Sequence, residues 1–422
     1  MLLFDQPAAP ARRLATDELL AGIEAFDEFG ARTVRDELTV AGHGTVPVFI
    51  NEFWTAGQRQ ASRLHEISYR ACFKPQLPRF FIERLTGPGD VVYDPFSGRG
   101  TTAIEAALLG RIPWAADINP LSRMLAEPRL HPVDLPGVVR RIEAVDFQRQ
   151  VDCPEELLVF YHPETLQEIC ALRAFLHERS ASPEWDPVDG WIRMVATNRL
   201  TGHSPGFFSV YTLPPNQATS VTAQKRINAK RNQTPPRRDV PELIRRKARK
   251  LMKERTAAES QNLRAAAARA RFVTGSADAT PELPDASVDL VVTSPPFLNA
   301  VDYRLDNWLR GWFCGIETDQ LPIWQISSLE KWEAAMERVF IELRRLLKPG
   351  GLVAFEVGEV RHGEIRLEEH VAGAAHRAGL TPLAVLINAQ EFTKTSNCWG
   401  VSNQLRGTNT NRISLLRKSG QG

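Results

Sequence analysis

The sequence predicts an α/β protein with a doubly wound, Rossmann-like sheet that is interrupted by a mostly helical insertion. Residues 76–136 alternate between helix and strand patterns, and the same alternation resumes at about residue 271. Such alternation favours a parallel sheet that is covered by helices. Between these stretches, residues 137–270 show helical periodicity, a loop rich in Pro and Gly, and a basic run. The second block of strands therefore completes the sheet that the first block begins.

We divide the chain of 422 residues into four parts. Residues 1–50 are predicted to be a helical segment, because "ATDELLAGIEAFDEFG" has apolar residues at helical spacing after the capping residue Thr16. Residues 51–136 form the first part of the α/β domain. Residues 137–270 form the insertion, and residues 271–422 form the second part of the domain.

Charge is unevenly distributed along the chain, although the formal net charge is only +2. The stretch 225–271 contains 16 Lys or Arg and only 4 Asp or Glu, so the remainder of the chain is acidic. A concentrated positive segment suits a polyanion, because each neutralised phosphate releases condensed counterions. A solvated helix face would have a similar composition, so the charge pattern alone leaves both interpretations open.

The five cysteines are scattered and form no CxxC pair. This pattern indicates neither a disulfide framework nor a structural zinc site, and it favours a reducing compartment. The first residues lack a basic segment followed by an apolar one, and no run of about 18 apolar residues occurs. We therefore expect a soluble, cytoplasmic protein with no bound metal and no membrane partner.

A glycine turn follows the first predicted strand of the α/β domain. In "VVYDPFSGRGTTAIEAALLG", Gly98 and Gly100 lie between a strand and a helix, where the backbone can approach a ligand without a Cβ in the way. Asp94 and Ser97 bring polar groups to the carboxyl end of this strand, and Asp117 ends the next strand. A purely structural turn would look the same in isolation, and the dinucleotide pattern G-x-G-x-x-G is incomplete because alanine replaces its third glycine.

Two motifs together resemble those of a known family. "DPFSGRGTT" resembles the S-adenosylmethionine-binding motif of the DNA amino-methyltransferases, and "TSPPF", residues 293–297, resembles their catalytic motif. The resemblance covers roughly residues 62–125 and 270–418. It implies a methyltransferase sheet and S-adenosylmethionine as the cofactor, with Asp117 at the ribose and Asp278 at the adenine amino group. The implied cofactor-binding residues are Lys74, Pro75, Asp94, Pro95, Phe96, Ser97, Gly98, Gly100, Thr101, Asp117, Asn119 and Asp278.

The "TSPPF" stretch raises the question of why a buried strand should end in two prolines. Methylation of an exocyclic amine requires its lone pair to leave conjugation with the ring, which rigidly held hydrogen-bond acceptors promote. Ser294 offers a hydroxyl, Pro295 offers a carbonyl, and Phe297 offers an aromatic face for a flipped-out base. Without the glycine turn, the prolines could simply end the strand. The predicted catalytic residues are Ser294, Pro295, Pro296 and Phe297.

The serine at position 294 bears on the substrate. In the family that the chain resembles, Asp-Pro-Pro-Tyr is usual for adenine-N6 enzymes and Ser-Pro-Pro for cytosine-N4 enzymes. We therefore predict transfer of a methyl group from S-adenosylmethionine to N4 of a flipped-out cytosine in duplex DNA. Adenine-N6 methylation, an RNA substrate, or a DNA-binding module without catalysis are the alternatives. Cytosine-C5 chemistry is not indicated, because no cysteine follows a proline.

The insertion is the predicted target-recognition region, because a helical block with a basic end beside a base-flipping site could bind the DNA around the target base. Lys and Arg there would contact phosphates, while Arg, Asn and Gln could read base edges. The predicted partner is double-stranded DNA, and the predicted location is the cytoplasmic nucleoid of a bacterial-type cell. A cognate restriction endonuclease would be a separate chain, since no nuclease motif stands out. The predicted DNA-binding residues are Lys225, Arg226, Lys230, Arg231, Arg237 and Arg238.

Overall fold

The computed structural model describes residues 15–55, 61–70, 72–212, 219–296, 303–324, 326–358, 365–389 and 410–420. Its strands are β1 (Val34–Val40), β2 (Gly44–Asn51), β3 (Val91–Asp94), β4 (Ile112–Asp117), β5 (Arg271–Thr274), β6 (Val288–Thr293), β7 (Leu347–Val357), β8 (Leu380–Ala389) and β9 (Thr410–Lys418). Its helices are α1 (Thr16–Glu24), α2 (Gln76–Leu85), α3 (Thr101–Leu108), α4 (Leu121–Ala126), α5 (Leu135–Glu143), α6 (Pro163–Ser180), α7 (Pro187–Thr197), α8 (Val221–Arg231), α9 (Val240–Met252), α10 (Ala257–Ala267), α11 (Tyr303–Cys314), α12 (Leu329–Leu346) and α13 (Leu367–Arg377).

The strands form one mixed sheet in the order β1-β2-β8-β9-β7-β6-β3-β4-β5. Strands β3 to β7 run parallel to their neighbours in this group, whereas β9 is antiparallel to both β7 and β8. The chain moves outward from β3 to β4 and β5, and then returns to β6 on the other side of β3. Such a reversal opens a crevice at the carboxyl ends of the two central strands. The sheet order confirms the doubly wound fold.

Helices cover both faces of the sheet, and successive strand residues point to different cores. Tyr93 and Phe355 pack in the core beneath α12 and α13. Val92, Leu290 and Ala354 pack in the core beneath α1 and α2. Because side chains alternate along a strand, the even-numbered residues of β3, β6 and β7 share the α1/α2 face. None of the helices in the described ranges is long and apolar enough to cross a membrane.

The N-terminal part contains a β-hairpin that the sequence analysis missed. β1 and β2 pair in antiparallel fashion, and β2 joins the main sheet by parallel pairing with β8. The helical prediction is right for Thr16–Glu24 and wrong for residues 34–51. "GTVPVFIN" alternates as a strand should, but Pro47 within it argues against a strand. The proline is accommodated because pairing with β8 starts only at Val48.

The insertion shares its apolar core with the first part of the sheet domain. Helices α5 to α10 account for its regular structure within the described residues. Trp191, Ile244 and Leu263 from these helices belong to one buried cluster that also contains Ile104 of α3 and Leu121 of α4. The insertion is therefore packed against the first part of the domain. Its role in target recognition stays a prediction.

Candidate active site

The glycine turn is held in place by the end of the neighbouring strand. After Asp94 the chain reverses, and Gly98 and Gly100 adopt positive φ angles of 52° and 78°. The backbone N–H of Gly98 donates to Oδ2 of Asp117 at 2.8 Å. A Cβ added to Gly100 would lie 2.5 Å from the Cβ of Ala126. The turn thus favours glycine at both positions for its backbone angles, and at position 100 for close packing as well.

The diproline corner ends the strand that lies beside this turn. β6 pairs in parallel with β3, and the Thr293 hydroxyl donates to Oδ1 of Asp94 at 2.6 Å. The indole Nε1 of Trp332 donates to the carbonyl of Pro296 at 2.9 Å, which fixes the corner from the α12 side. Ser294 and Pro296 line the same pocket as the glycine turn. Two motifs that are about 200 residues apart in the chain therefore meet at one edge of the sheet.

The pocket between the two motifs spans about 850 Å³, a volume that includes space open to solvent. Within the described ranges, Oγ of Ser97 and Nδ2 of Asn119 are buried there without a hydrogen-bond partner. Because buried polar atoms are nearly always paired, these two atoms suit a polar ligand. The residues that line the pocket are Tyr69, Cys72, Phe73, Asp94, Pro95, Phe96, Ser97, Gly98, Thr101, Asp117, Ile118, Asn119, Ser276, Ala277, Ser294, Pro296, Ile323 and Trp324.

Two buried arginines fasten the segment that precedes α2 to the glycine turn. Arg99 donates to the carbonyl oxygens of His65 and Ile67 at 3.3 and 2.8 Å. Arg129 donates to the carbonyl of Leu64 at 2.9 Å and to that of Arg99. Burial lowers the pKa of Arg129 to about 9, and the nearby Arg99 charge contributes to this decrease. These contacts hold the segment that supplies one wall of the pocket.

Two buried carboxyl groups stand at the ends of β3 and β4. Burial raises the pKa of Asp94 to about 7, although hydrogen bonds from Thr293 and the Phe96 N–H oppose the shift. Burial likewise raises the pKa of Asp117 to about 6, against hydrogen bonds from the N–H groups of Asn119 and Gly98. A cationic ligand in the pocket would stabilise the ionised form of both groups.

We expect Asp94 to contribute a fall in the free energy of unfolding as the pH rises from about 4 to about 7. The pKa of Asp94 is about 7 in the folded protein, above the roughly 3.9 of an unfolded aspartate, so only the folded state keeps this proton across the interval. One such group contributes a slope of up to about 1.4 kcal/mol per pH unit. Asp94→Asn should flatten the slope, measured by urea unfolding at several pH values.

Asp278→Asn is the matched control for this pH series. Although burial opposes the shift, hydrogen bonds from Ser276 and Arg338 hold the pKa of Asp278 below its usual value. This carboxyl is therefore ionised in both folded and unfolded states above about pH 5. Its removal should leave the slope between pH 5 and 7 unchanged. Equal slopes for the wild type and Asp94→Asn would show that the pKa of Asp94 is not raised in the folded protein.

Comparisons with known proteins support the interpretation of the pocket. Residues 41–120, which include the glycine turn but not the diproline corner, match the DNA methylase family of N6 and N4 enzymes. The type II methyltransferase M.MvaI of Kocuria varians is 27% identical over 128 residues, which cover 30% of this chain and 25% of that protein. M.MjaII of Methanocaldococcus jannaschii is 36% identical over 67 residues, covering 16% of this chain and 13% of that protein. Over these stretches the chain is similar to the DNA amino-methyltransferases.

The match to these methyltransferases spans a quarter or less of the curated relatives' own length. Among solved structures, a candidate DNA modification methylase of Thermus thermophilus, complexed with S-adenosyl-L-methionine, is 26% identical over 33% of this chain and 49% of that one, with a TM-score of 0.21. TrmN from Thermus thermophilus is 15% identical over 84% of this chain and 51% of that one, with a TM-score of 0.31. Because both TM-scores are low, the fold is argued from the sheet order alone and not from these structures.

Most cofactor residues expected from the methyltransferase resemblance line the pocket, but four do not. Asp278 instead binds Arg338 at 3.0 Å and the Ser276 hydroxyl, so Ser276 and Ala277 form that part of the wall. Gly100 packs against Ala126 behind the turn. Lys74 and Pro75 lie at the start of α2 and are also absent from the lining. The roles given to these four residues by resemblance therefore lack direct support from the pocket geometry.

The predicted catalytic residues are only partly described. Ser294 and Pro296 line the pocket, and Pro295 is buried between them. Phe297 lies outside the described residues. Glu356, a buried carboxyl group near the end of β7, accepts a hydrogen bond from Nδ2 of Asn411 at 2.9 Å, and the sequence analysis did not single it out.

Several lining residues carried no sequence signal. Trp324 packs edge-on against Phe96, with ring centroids 6.1 Å apart. It comes from the loop before α12, far from either motif, and its sequence surroundings resemble those of an ordinary surface loop. Tyr69, Cys72 and Phe73 fall in the segment "YRACFKP", whose resemblance to the family drew attention only to its last two residues.

The six predicted DNA-binding residues divide into two groups. Lys225, Arg226, Lys230 and Arg231 are exposed on α8, where Arg231 also lies over the Tyr211 ring at 3.8 Å. By contrast, Arg237 binds Glu164 at 2.8 Å and also Glu168, so its charge is neutralised on α6. Arg238 is half-buried, and its backbone N–H donates to the Thr165 hydroxyl at 2.8 Å. Arg237 and Arg238 thus anchor the insertion to α6.

Proposed function

We propose that the protein is a DNA methyltransferase that transfers a methyl group from S-adenosylmethionine to N4 of cytosine. The meeting of the glycine turn and the diproline corner in one pocket, joined by the bond from Thr293 to Asp94, carries this proposal. The cofactor supplies an electrophilic methyl group on a positively charged sulfur. The corner supplies acceptors for an amine, and the two motifs together bring donor and acceptor within reach.

The residues of the turn and of the end of β4 suit this cofactor. The unpaired buried atoms of Ser97 and Asn119 offer hydrogen bonds to its polar groups. Asp117 already receives the Gly98 and Asn119 N–H groups, and its carboxylate is placed at the strand end where ribose hydroxyls are commonly held. Asp94 and Asp117 together offset the positive charge of an ammonium or sulfonium group. Their raised pKa values fit a site that is completed by a cation.

The corner residues would activate the target amine. The Ser294 hydroxyl and the Pro295 carbonyl are fixed by the strand end and by proline's restricted φ. Acceptors that are rigid before the reaction need no reorganisation as the amine becomes pyramidal. Stacking of the flipped-out base on Phe297 follows from the resemblance and remains a prediction.

The proposal also specifies which base is methylated. Serine at position 294, rather than aspartate, supports cytosine N4, with adenine N6 or an RNA amine as the alternative. Incubation with duplex DNA and S-adenosylmethionine, followed by mass analysis of the nucleosides, distinguishes these outcomes. N4-methylcytosine is expected; N6-methyladenine would overturn the base assignment alone. Methylation of structured RNA and not of DNA would overturn the substrate class.

DNA is proposed to lie along α8, on the side of the catalytic corner. The indole Nε1 of Trp308 on α11 donates to the carbonyl of Thr219 at 3.3 Å, just before α8 begins. α11 follows the corner in sequence, and this contact supports the proposed placement of the basic helix near the catalytic corner. Any cognate restriction endonuclease remains a prediction.

We expect the double substitution Lys225→Gln and Arg226→Gln to weaken DNA binding and to reduce its salt dependence. Each lost phosphate contact lowers the slope of log K against log salt concentration by roughly 1, so a decrease of about 1 to 2 is predicted. Fluorescence anisotropy with duplex DNA at several salt concentrations measures this slope.

Arg237→Gln is the control for the salt series. It removes a positive charge that two glutamates already neutralise. We expect it to lower stability and leave the salt slope unchanged. An unchanged slope in the double variant would place the DNA on another surface.

A further inference from the structure

A compact loop of the insertion, residues 199–212, follows α7. The backbone N–H of Thr212 donates to the carbonyl of Gly202 at 3.1 Å, so the two ends of the loop lie close together. Phe207, in the middle of the loop, is buried. A loop that is closed at its ends and packed on its own side chains presents a fixed surface. We call residues 199–212 the arginine loop, after Arg199 at its start.

Three hydrogen-bond donors converge on one point of the arginine loop. A Cβ built on Gly206 would lie 3.5 Å from Oγ of Ser204. The same Cβ would lie 3.7 Å from Nη2 of Arg246 on α9 and 3.8 Å from Nη1 of Arg199. Arg199 is half-buried and lies over the Phe207 ring, 4.1 Å from its centroid, whereas Arg246 is exposed. The three groups therefore surround one point at the surface.

The two arginines are not neutralised at this point. Arg199 donates to the carbonyl oxygens of Asn198 and Gly206 and to Oδ1 of Asn198, which engages three of its five N–H groups. All three acceptors are neutral. The Arg246 guanidinium has no hydrogen bond or ion pair within the described ranges. Two guanidinium groups thus approach the same point, and neither is bound to a carboxylate of the described residues.

The balance of charge around the arginine loop is positive. Burial lowers the pKa of Arg199 to about 10, and the neighbouring Arg246 charge lowers it as well. Glu66 has the opposite effect on this pKa, but its carboxylate is also bound by Lys250 at 2.6 Å and lies 3.6 Å from Lys247. An anion placed between the two arginines would offset their mutual repulsion.

The arginine loop lies between a wall of the pocket and the basic helix α8. Just before the loop, Nδ2 of Asn198 donates to the carbonyl of Ser68 at 3.5 Å, and the next residue, Tyr69, lines the pocket. Near the other end of the loop, the carbonyl of Tyr211 accepts from Nε2 of Gln224 on α8 at 3.1 Å. A duplex that contacts α8 and reaches the pocket would therefore pass close to the loop.

We propose that Arg199, Arg246 and Ser204 form a phosphate-binding site, which holds one phosphodiester group of the DNA duplex between the pocket and α8. This inference rests on the proposed function. Two guanidinium groups and a hydroxyl suit a phosphate, whose oxygens accept several charge-assisted hydrogen bonds at once. Phosphate contacts set the position of a protein on DNA without reading its sequence. The site therefore places the duplex beside the pocket and leaves the choice of sequence to other residues.

Arg246→Gln tests the site, because this exposed guanidinium can be removed without breaking a contact within the described residues. For a duplex of mixed sequence, the slope of log K against log salt concentration should decrease by about 1, and the affinity at 0.1 M salt should fall about tenfold. Fluorescence anisotropy measures both. At saturating DNA the methylation rate should stay within about threefold of the wild type, since the contact contributes to binding and not to the chemical step.

Arg264→Gln is the matched control, because it removes the same charge from an exposed arginine of α10. On this helix, Asn262 donates to the carbonyl of Leu108, at the end of α3 farthest from the glycine turn. Its salt slope should equal that of the wild type. Arg246→Lys keeps the charge and should keep the slope. An unchanged slope in Arg246→Gln, or equal decreases in Arg246→Gln and Arg264→Gln, overturns the inference.

Inorganic phosphate distinguishes a site for DNA from a site for a free anion. At equal ionic strength, phosphate should displace a labelled duplex from the wild type more strongly than chloride does, and this difference should disappear in Arg246→Gln. Phosphate that protects only the wild type from thermal unfolding, and displaces DNA no better than chloride, would overturn the assignment to DNA. These failures leave the proposed function standing if the wild type methylates DNA. Absence of both DNA binding and methyl transfer in the wild type overturns both proposals.

Discussion

Ser294→Ala should reduce methyl transfer by about 100-fold while leaving the affinity for S-adenosylmethionine nearly unchanged. The serine belongs to the diproline corner, whereas the buried unpaired atoms belong to Ser97 of the glycine turn and Asn119 after β4. Loss of one preorganised hydrogen-bonding group at a reacting centre often costs about 10²-fold to 10³-fold in rate. Single-turnover assays with labelled cofactor and duplex DNA measure the rate, and isothermal titration calorimetry measures cofactor binding.

Ser414→Ala is a suitable control for this experiment. Ser414 is a buried serine of β9 whose hydroxyl has no partner in the described part of the chain, and β7 separates its strand from β6. Removing it should leave the rate near that of the wild type. If Ser294→Ala and Ser414→Ala methylate DNA equally fast, the corner is not where the amine is activated.

Gly100→Ala should lower the free energy of unfolding by about 2 to 5 kcal/mol. The left-handed backbone at this position costs an L-residue about 1 to 2 kcal/mol. The new Cβ would also stand 2.5 Å from the Cβ of Ala126, which forces α3 and α4 apart. Overpacking of this kind typically adds about 1 to 3 kcal/mol. Urea unfolding followed by circular dichroism gives the change.

Gly110→Ala separates the two contributions. Its φ of 76° is similar to that of Gly100, but the nearest atoms to an added Cβ belong to Asn262, at 3.5 Å or more. It should therefore show the backbone cost alone. Ala126→Gly in the Gly100→Ala background should recover part of the difference. Equal losses at positions 100 and 110 would mean that the contact with Ala126 relaxes freely.

The parts of the fold that sequence predicted are those with strong local patterns. The doubly wound sheet was evident because strands and helices alternate, and β3 and β6 each end in a short motif. The hairpin at residues 34–51 was missed because Pro47 interrupts its strand pattern and because its pairing partner β8 lies more than 300 residues later. Pairing across such a distance leaves no local trace.

The site was predictable to the extent that its residues belong to contiguous motifs. Trp324 and Ile323 reach the pocket through tertiary packing, so the residues beside them in the sequence do not indicate a binding site. The charge pattern suggested too many DNA contacts. Arg237 belongs to the basic run, but Glu164 and Glu168 of α6 neutralise its charge. A count of charges along a sequence cannot show which of them face one another after folding.

The common core of the insertion and helices α3 and α4 limits how the protein can be re-engineered. Because Trp191 and Ile244 belong to the same buried cluster as Ile104, a chimaera that exchanges residues 137–270 would also replace the packing behind the cofactor turn. If DNA lies along α8 as proposed, the exposed residues of α8 can be changed without disturbing this core, whereas the whole region cannot be transplanted without disturbing it.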